Sequence, residues 1–360
     1  MTVFGGEWMN RRTLWQILPG LMTGLLFLLM WQGRMLLPLE QVLYGALFRL
    51  RGEQGWDDRL VLVAIDDGSL QRLGRYPWPR ARFTQLVERL GAAEPSVIAM
   101  DVIFSEPGVG DPALAKAIDQ QGRVILGESR DPNGLPLLPV PSLREAALVL
   151  GHLDTQADGD GMVRQVKLQY QGDPVLGLAA VRANGLTQPP TPLPDLSQPW
   201  GVNWVSRMER LPKYSFADVV EGKVPEEAFR GKIVLVGMTA KGFDRLLTPF
   251  DRDLPTTGIM VHATVANNLL TGRSLRNFHS DWLLGAWILA APLWSWVLGR
   301  QRTGRQLLSG SLLMAGWGLV VGVMFGLGVW VPMGVPMGVI AGTVVMVVVV
   351  ERLRVNRLLG

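Results

Sequence analysis

The chain has 360 residues, 48% of them hydrophobic and 18% charged, with a formal net charge of +4 and no cysteine. The lack of cysteine excludes disulfides and thiolate chemistry, and a mean hydropathy of +0.21 is too high for an ordinary soluble protein. The pI near 9.6 comes from basic clusters beside apolar runs, which points to anchoring on anionic lipid and away from nucleic acid.

The first apolar run, Leu14 to Trp31, carries no charge. At ~1.5 Å rise per residue it crosses most of a ~30 Å hydrocarbon layer. No small-x-small cleavage site follows, so it reads as an uncleaved anchor and not as a signal peptide. A mostly polar block then separates it from three further runs, Trp282 to Leu298, Leu307 to Val331 and Met333 to Val350. Arg11 and Arg12, then Arg300, Arg302 and Arg305, then Arg352, Arg354 and Arg357 all fall on one side of a four-span arrangement. The expected plan is therefore a cytoplasmic N-terminus (1–13), a span (14–31), an extracytoplasmic domain (34–280), spans at 282–298, 307–331 and 333–350, and a cytoplasmic tail (351–360).

Within the exterior block, Leu60 to Ile65 is an apolar, β-branched run ending at Asp66 and Asp67, as a strand covered on both faces would be. Arg80 to Leu90 shows a helical apolar stripe, Ser96 to Met100 a second buried strand closed by Asp101, and Asp111 with Pro112 a helix start. Val124 to Leu126, the alternating Val163 to Tyr170 and Lys232 to Val236 are expected strands. Val175 to Ala183 and Gly258 to Leu270 are expected helices, and the proline-rich stretch Thr187 to Trp200 is an irregular loop. This rhythm predicts one α/β domain with a largely parallel sheet, plus four transmembrane helices, one before and three after.

Ligands of parallel sheets favour the carboxyl ends of strands. Adjacent strands at ~4.8 Å would bring Asp66, Asp67 and Asp101 together, with Arg80 or a divalent metal, Mg²⁺ or Ca²⁺, held by Asp66 and Asp101, offsetting their charge. The competing expectation is that these aspartates cap turns and helices. Asp158-Gly-Asp-Gly161 lacks a full calcium loop and reads as a tight turn in which Arg164 pairs with Asp158 or Asp160. Gly237-Met-Thr-Ala-Lys-Gly242, containing Thr239, has backbone amides that could cradle an anion, without the order of a phosphate loop. His262, early in its helix, reads as structural. No nucleophile-histidine-acid or HExxH arrangement is present, so no catalytic residue is expected. In the last two spans Gly318, Gly322 and Gly326, and then Gly334, Gly338 and Gly342, form stripes that predict a tight hairpin or a homodimer contact.

Val63-Ala-Ile-Asp-Asp-Gly-Ser-Leu70, Tyr76-Pro-Trp-Pro-Arg80, Ala99-Met-Asp-Val-Ile-Phe-Ser105, Asp158-Gly-Asp-Gly-Met-Val-Arg164, Gly231-Lys-Ile-Val-Leu-Val-Gly-Met-Thr-Ala-Lys-Gly-Phe-Asp244 with Thr248-Pro249, and Gly258-Ile-Met-Val-His-Ala263 occur in an order that resembles one family. It is the second type of the CHASE family, the cyclase and histidine-kinase associated sensory extracellular domains. The resemblance covers about residues 38 to 275; Gly45 departs from it where the family tends to have an aspartate after the tyrosine. The residues expected to bind a ligand are Asp66, Asp67, Arg80, Asp101, Asp158, Asp160, Arg164, Thr239, Asp244 and His262. Family members commonly continue into a kinase or cyclase, whereas only Glu351 to Gly360 follows the last span here. The expectation is a membrane sensor in a bacterial cytoplasmic membrane that signals to a separate kinase or cyclase. A non-signalling periplasmic scaffold for an envelope protein is the alternative, and a metal-dependent hydrolase the third reading.

Overall fold

The computed structural model describes residues 11–243, 246–251, 256–278 and 281–359. From the N-terminus the elements are α1 (Arg11–Gln32), α2 (Leu37–Arg51), β1 (Leu60–Ile65), α3 (Asp67–Leu73), α4 (Arg80–Ala92), β2 (Val97–Asp101), α5 (Asp111–Gln121), β3 (Val124–Arg130), β4 (Pro136–Leu137), α6 (Pro141–Ala146), β5 (Val149–His152), β6 (Gln165–Val166), β7 (Gln169–Tyr170) and β8 (Asp173–Pro174). Then follow α7 (Leu176–Asn184), β9 (Trp200–Gly201), β10 (Lys213–Ser215), α8 (Phe216–Val220), β11 (Ile233–Met238), α9 (Gly258–Thr271), β12 (Arg276–Asn277), α10 (Asp281–Leu298), α11 (Thr303–Gly326), β13 (Val329–Trp330) and α12 (Gly334–Leu359). They fall into two compact units, Phe48–Leu275 and a second formed by Met1–Leu47 with Arg276–Gly360, so the boundary passes through α2.

The first unit is built on a mostly parallel sheet in the order β10-β1-β11-β2-β3, with β5 beside β3 and β4 antiparallel on the end of β3. Its central strands are continuous apolar runs because both faces are covered. On one face Val61, Val63, Met100 and Val236 meet Phe83, Leu86 and Leu90 of α4, Leu114 of α5 and Phe216 of α8. The other face carries α7 and α9, which pack on each other and on the sheet. Glycines allow that approach: a Cβ on Gly151 of β5 would stand 2.8 Å from the Leu176 Cα, and one on Gly177 of α7 would stand 2.5 Å from the His262 carbonyl oxygen. Both helices are apolar almost all round, as helices buried between neighbours must be.

In the second unit, four helices are long and apolar enough to cross a membrane: Thr13–Gln32, Asp281–Leu298, Thr303–Gly326 and Gly334–Arg354. The third apolar run ends as helix at Gly326, short of the expected Val331. Gly328 turns the chain with φ +79, and Val329 and Trp330 pair with Arg276 and Asn277. The Glu40 carboxylate accepts the Met333 and Gly334 amides at 3.1 and 2.7 Å, placing negative charge at the start of α12.

The glycine stripes are divided between neighbours. Gly338 and Gly342 of α12 sit against Phe27 and Thr23 of α1, not against α11. In α11, Gly318 faces Met337 at 3.4 Å, whereas Gly322 and Gly326 have nothing within 4 Å. The bulky ring that fills the α12 groove comes from α1, so the expected hairpin through both stripes does not form. Gly20 of α1 lies against the Ala291 backbone, and a Cβ on Gly24 would stand 3.0 Å from the Ile288 carbonyl oxygen.

Gly338→Leu should therefore lower the stability of the purified full chain by about 1–3 kcal/mol through overpacking, while Gly322→Leu changes it by less than about 0.5 kcal/mol. Denaturant titration followed by tryptophan fluorescence measures both. Equal losses would show that α11 is packed as tightly as α12.

Candidate functional site

Asp66, Asp67, Asp101 and Thr239 lie at the carboxyl ends of strands, and local structure engages Asp66, Asp67 and the Thr239 backbone. Asp66 follows β1 with extended backbone and caps α3, accepting the Ser69 amide at 2.7 Å and the Ser215 hydroxyl at 3.0 Å. The Ser69 and Ser215 hydroxyls lie 2.8 Å apart, and Ser69 Oγ accepts the Ala217 amide at 3.1 Å. This network ties the end of β1 to the end of β10. The Asp67 carboxylate accepts the Lys241 amide at 3.3 Å. The Thr239 and Ala240 amides both donate to the Ile65 carbonyl at 3.0 Å, so they are not turned outward as an anion cradle.

The expected meeting of Asp66, Asp67 and Asp101 fails for a topological reason. β11 lies between β1 and β2, with Gly237 opposite Asp101 and Met238 opposite Ile65. Two strand spacings, roughly 10 Å, therefore separate the ends of β1 and β2. Burial raises the Tyr76 hydroxyl pKa, and the Asp101 charge adds to it. Arg80 serves a different partner: it donates to Asp111 at 2.7 Å and to the Glu106 carbonyl at 2.6 Å, with its guanidinium 4.7 Å over the Phe104 ring. Asp111, expected to cap a helix, also accepts the Gly108 amide at 2.6 Å, and Gly110 takes the cap position. Among the described residues no three histidine, aspartate or glutamate side chains are grouped to hold a metal ion. Asp66 and Asp101, expected to share a metal ion, thus end strands that are not neighbours in the sheet.

Asp158 to Gly161 forms a tight turn, with the Gly161 amide on the Asp158 carbonyl at 2.8 Å. Arg164, 6% exposed at its side chain, donates to Asp158 at 2.6 Å and to both Asp160 oxygens at 2.8 and 2.6 Å. Its hydrogen bonds hold the Asp160 carboxyl below the usual range, so the turn carries its own cation. His262 is 1% exposed in α9. Burial first, and then His152, push its pKa down to about 3. Asp244 lies outside the described residues.

A polar notch at the carboxyl ends of β3 and β5 had no part in the expectations. Glu128 of β3 stands opposite His152 of β5 in register. The notch they line is completed by Ser129, Arg130, Asp154, Tyr170, Asp173 and Pro136 and encloses about 10 Å³. Asp154 is fixed by the Ser129 hydroxyl at 2.7 Å and the Arg130 amide at 3.3 Å. The Arg130 guanidinium lies 4.6 Å over the Tyr170 ring and donates to Gln171 at 3.1 Å. Glu128 is 8% exposed, and burial, followed by the Asp173 charge, raises its pKa. His152 is 4% exposed, and both of its ring nitrogens are buried without a hydrogen-bond partner. The Lys167 backbone approaches the ring without closing a bond of good geometry. Burial lowers the His152 pKa, against the Asp154 and Asp173 charges and the Lys167 backbone. The sequence signal was a glutamate directly continuing the buried run Val124 to Gly127.

A buried neutral histidine resists the proton that the unfolded chain accepts near pH 6.5. The His262 contribution is therefore complete above pH 6.5 and is lost as pH falls towards 3, by up to about 1.4 kcal/mol per pH unit. Urea midpoints of the full chain at pH 7 and pH 5 should differ more for the natural protein than for His262→Gln, which lacks the His262 share. Identical pH dependence would mean that His262 is not held neutral.

A family model described as CHASE2 domain matches residues 22–299. No curated protein and no solved structure matches the chain. The matched segment runs from within α1, through the whole α/β unit, to the end of α10. The chain belongs to the CHASE2 family of sensor domains.

Proposed function

We propose that this chain is a sensor of a bacterial cytoplasmic membrane that holds the unit Phe48–Leu275 outside the cytoplasm and keeps both termini inside. Binding there is relayed through the membrane helices to a separate cytoplasmic kinase or cyclase. The observation that carries this reading is the extent of the family match. It includes the α/β unit together with the helices on either side of it, α10 and the second half of α1. The basic clusters at Arg300 to Arg305 and Arg352 to Arg354 support the orientation by the positive-inside rule. A relay also requires that the ligand distinguish two arrangements energetically.

Two arms test the reading. A reporter active only in the cytoplasm should work when fused after Arg357 and fail when inserted near Gln188; the reverse pattern sinks the orientation. For the relay, a diguanylate cyclase domain fused after Arg354 should give an output that changes when Asp66→Asn or Glu128→Gln is introduced into the α/β unit. An active cyclase indifferent to every such substitution would refute transmission and favour the envelope scaffold.

A further inference from the structure

We propose that the first part of α2 lies in the headgroup boundary of the lipid bilayer, with its outward face sunk into the top of the acyl chains. This rests on the four spans, and neither on the sensing role nor on which side of the membrane is outside.

Contacts within the membrane unit fix the level of α2. α1 and α12 run antiparallel, since Gly342 meets Thr23 and Gly338 meets Phe27. A Cβ on Gly334 would stand 3.2 Å from the Leu39 side chain and 3.1 Å from the Glu40 carboxylate, so α2 passes beside the first residue of α12. The apolar window Gly334–Arg354 has 21 residues. At ~1.5 Å per residue it covers a whole ~30 Å hydrocarbon layer, which sets Gly334 at the edge of that layer. The bonds from the Met333 and Gly334 amides to Glu40 hold α2 there, as does the Tyr44 ring, 5.0 Å from that of Trp330.

The outward face of α2 is the second observation. Tyr44 and Leu47 are buried on the inner side. Pro38, Leu39, Val42 and Ala46 share the opposite side of the helix, and none of them is polar. Val42 is 52% exposed, and Leu39 and the Met35 of the preceding turn are exposed as well. A helix face turned to water is ordinarily polar. An amphipathic helix lying on a bilayer turns such a face to the acyl chains.

Aromatic residues mark the same level independently. α10 runs antiparallel to α1, with Ile288 against Gly24 and Ala291 against Gly20, so the start of α10 is level with the end of α1. There Trp282 is 68% exposed, with the exposed Phe278 ring 6.4 Å away. Indole rings favour the headgroup level. Arg34, in the turn between α1 and α2, is exposed where a lipid phosphate can meet it. A second copy of the chain would also cover an apolar face, but it would not account for exposed indole and guanidinium groups gathered at the ends of the spans.

The natural chain has no cysteine, so a single introduced one can be labelled. The full chain carrying Val42→Cys, labelled with bimane, is placed in vesicles of phosphatidylcholine and phosphatidylglycerol that contain lipids bearing a nitroxide near the headgroup or near the chain end. The shallow nitroxide should quench the label about twofold more than the deep one, because an interfacial helix is buried only ~5–10 Å. Iodide in the water should quench it little. Met22→Cys, at an exposed position in the middle of the α1 span, should show the opposite order of the two lipids. Should Val42→Cys lose cooperative thermal unfolding, Leu39→Cys should still give the shallow order. Quenching by iodide and by neither lipid would put the face in water and overturn the proposal, as would the deep order shown by Met22→Cys. Protection from iodide and from both lipids, with energy transfer to copies carrying an acceptor label, would put a second copy on the face and overturn it equally. Signalling is not read in this experiment, so each of these failures leaves the sensor reading standing.

Discussion

The insertion of β11 between β1 and β2 governs the α/β unit. β11 is formed by residues 233–238 and pairs along its length with β1, formed by residues 60–65. The first and last long strands of the unit are thus neighbours, and the sheet is not continuous until the last has been placed. The chain leading into β1 and the helix that follows β11 are stitched together at the same level. The Asp57 amide donates to Asn267 at 2.8 Å and Arg59 to the Leu270 carbonyl at 3.2 Å. Asn203 and Asn268 exchange amide hydrogen bonds of 2.9 Å each, and Arg51 reaches Asn203 at 2.6 Å. Asn267 and Asn268 are buried, so these bonds form where water does not compete, and a broken partner there is costly. Entry and exit segments are accordingly one mechanical body within this unit.

The same topology separates structural polar residues from those with capacity to spare. At the ends of β1, β10 and β11, the Asp66 and Asp67 carboxylates, the Ser69 and Ser215 hydroxyls and the Thr239 and Ala240 amides each close a bond to a neighbour, because a cap, a strand end and a helix start meet there. Arg164 is consumed in the same way by Asp158 and Asp160. At the ends of β3 and β5 the hydrogen bonds instead fix Asp154 and Arg130 and leave the His152 ring unserved. A strand-end position alone does not mark a ligand site in a parallel sheet.

Legibility in the sequence followed the strength of the local signal. β1, β2 and β11 are continuous apolar runs, α4 carries a clear apolar face and α7 and α9 are apolar almost all round, so their positions were readable from residue type alone. Their spatial order was not. Nothing local to Lys232 to Val236 says that the strand enters the sheet between two others, and the separation of Asp66 from Asp101 depends on that insertion. β10, with Lys213, Tyr214 and Ser215, has no apolar alternation to reveal it and exists through its pairing with β1. The third membrane helix was read too long because apolar content continues past the point where Gly326 and Gly328 break it. Arg80 and Asp111 were each recognised, but a pair 31 residues apart is brought together only by the packing of α4 against α5.

The membrane unit limits the kind of motion its helices can make. Gly20 and Gly24 let α1 rest against the backbone of α10, and Gly338 and Gly342 let α12 take the Phe27 ring of α1. Helices in such close contact lose dispersion energy steeply if they separate, since even a small radial gap forfeits much of each contact. Sliding along a small-residue seam, by contrast, exchanges one set of contacts for a similar one, the shear motion seen in other packed helices. The α1 seam carries a polar restraint as well, because the Ser295 hydroxyl of α10 bonds to the Gln16 carbonyl at 2.5 Å and Gln16 returns a bond of 3.2 Å to the Gly299 carbonyl. A displacement of α1 along α10 must break or move this pair at one end of the seam while the glycine contacts permit it along the rest. Sliding of α1 along α10 is therefore opposed where Gln16 meets Ser295 and Gly299 and is least opposed along the glycine contacts.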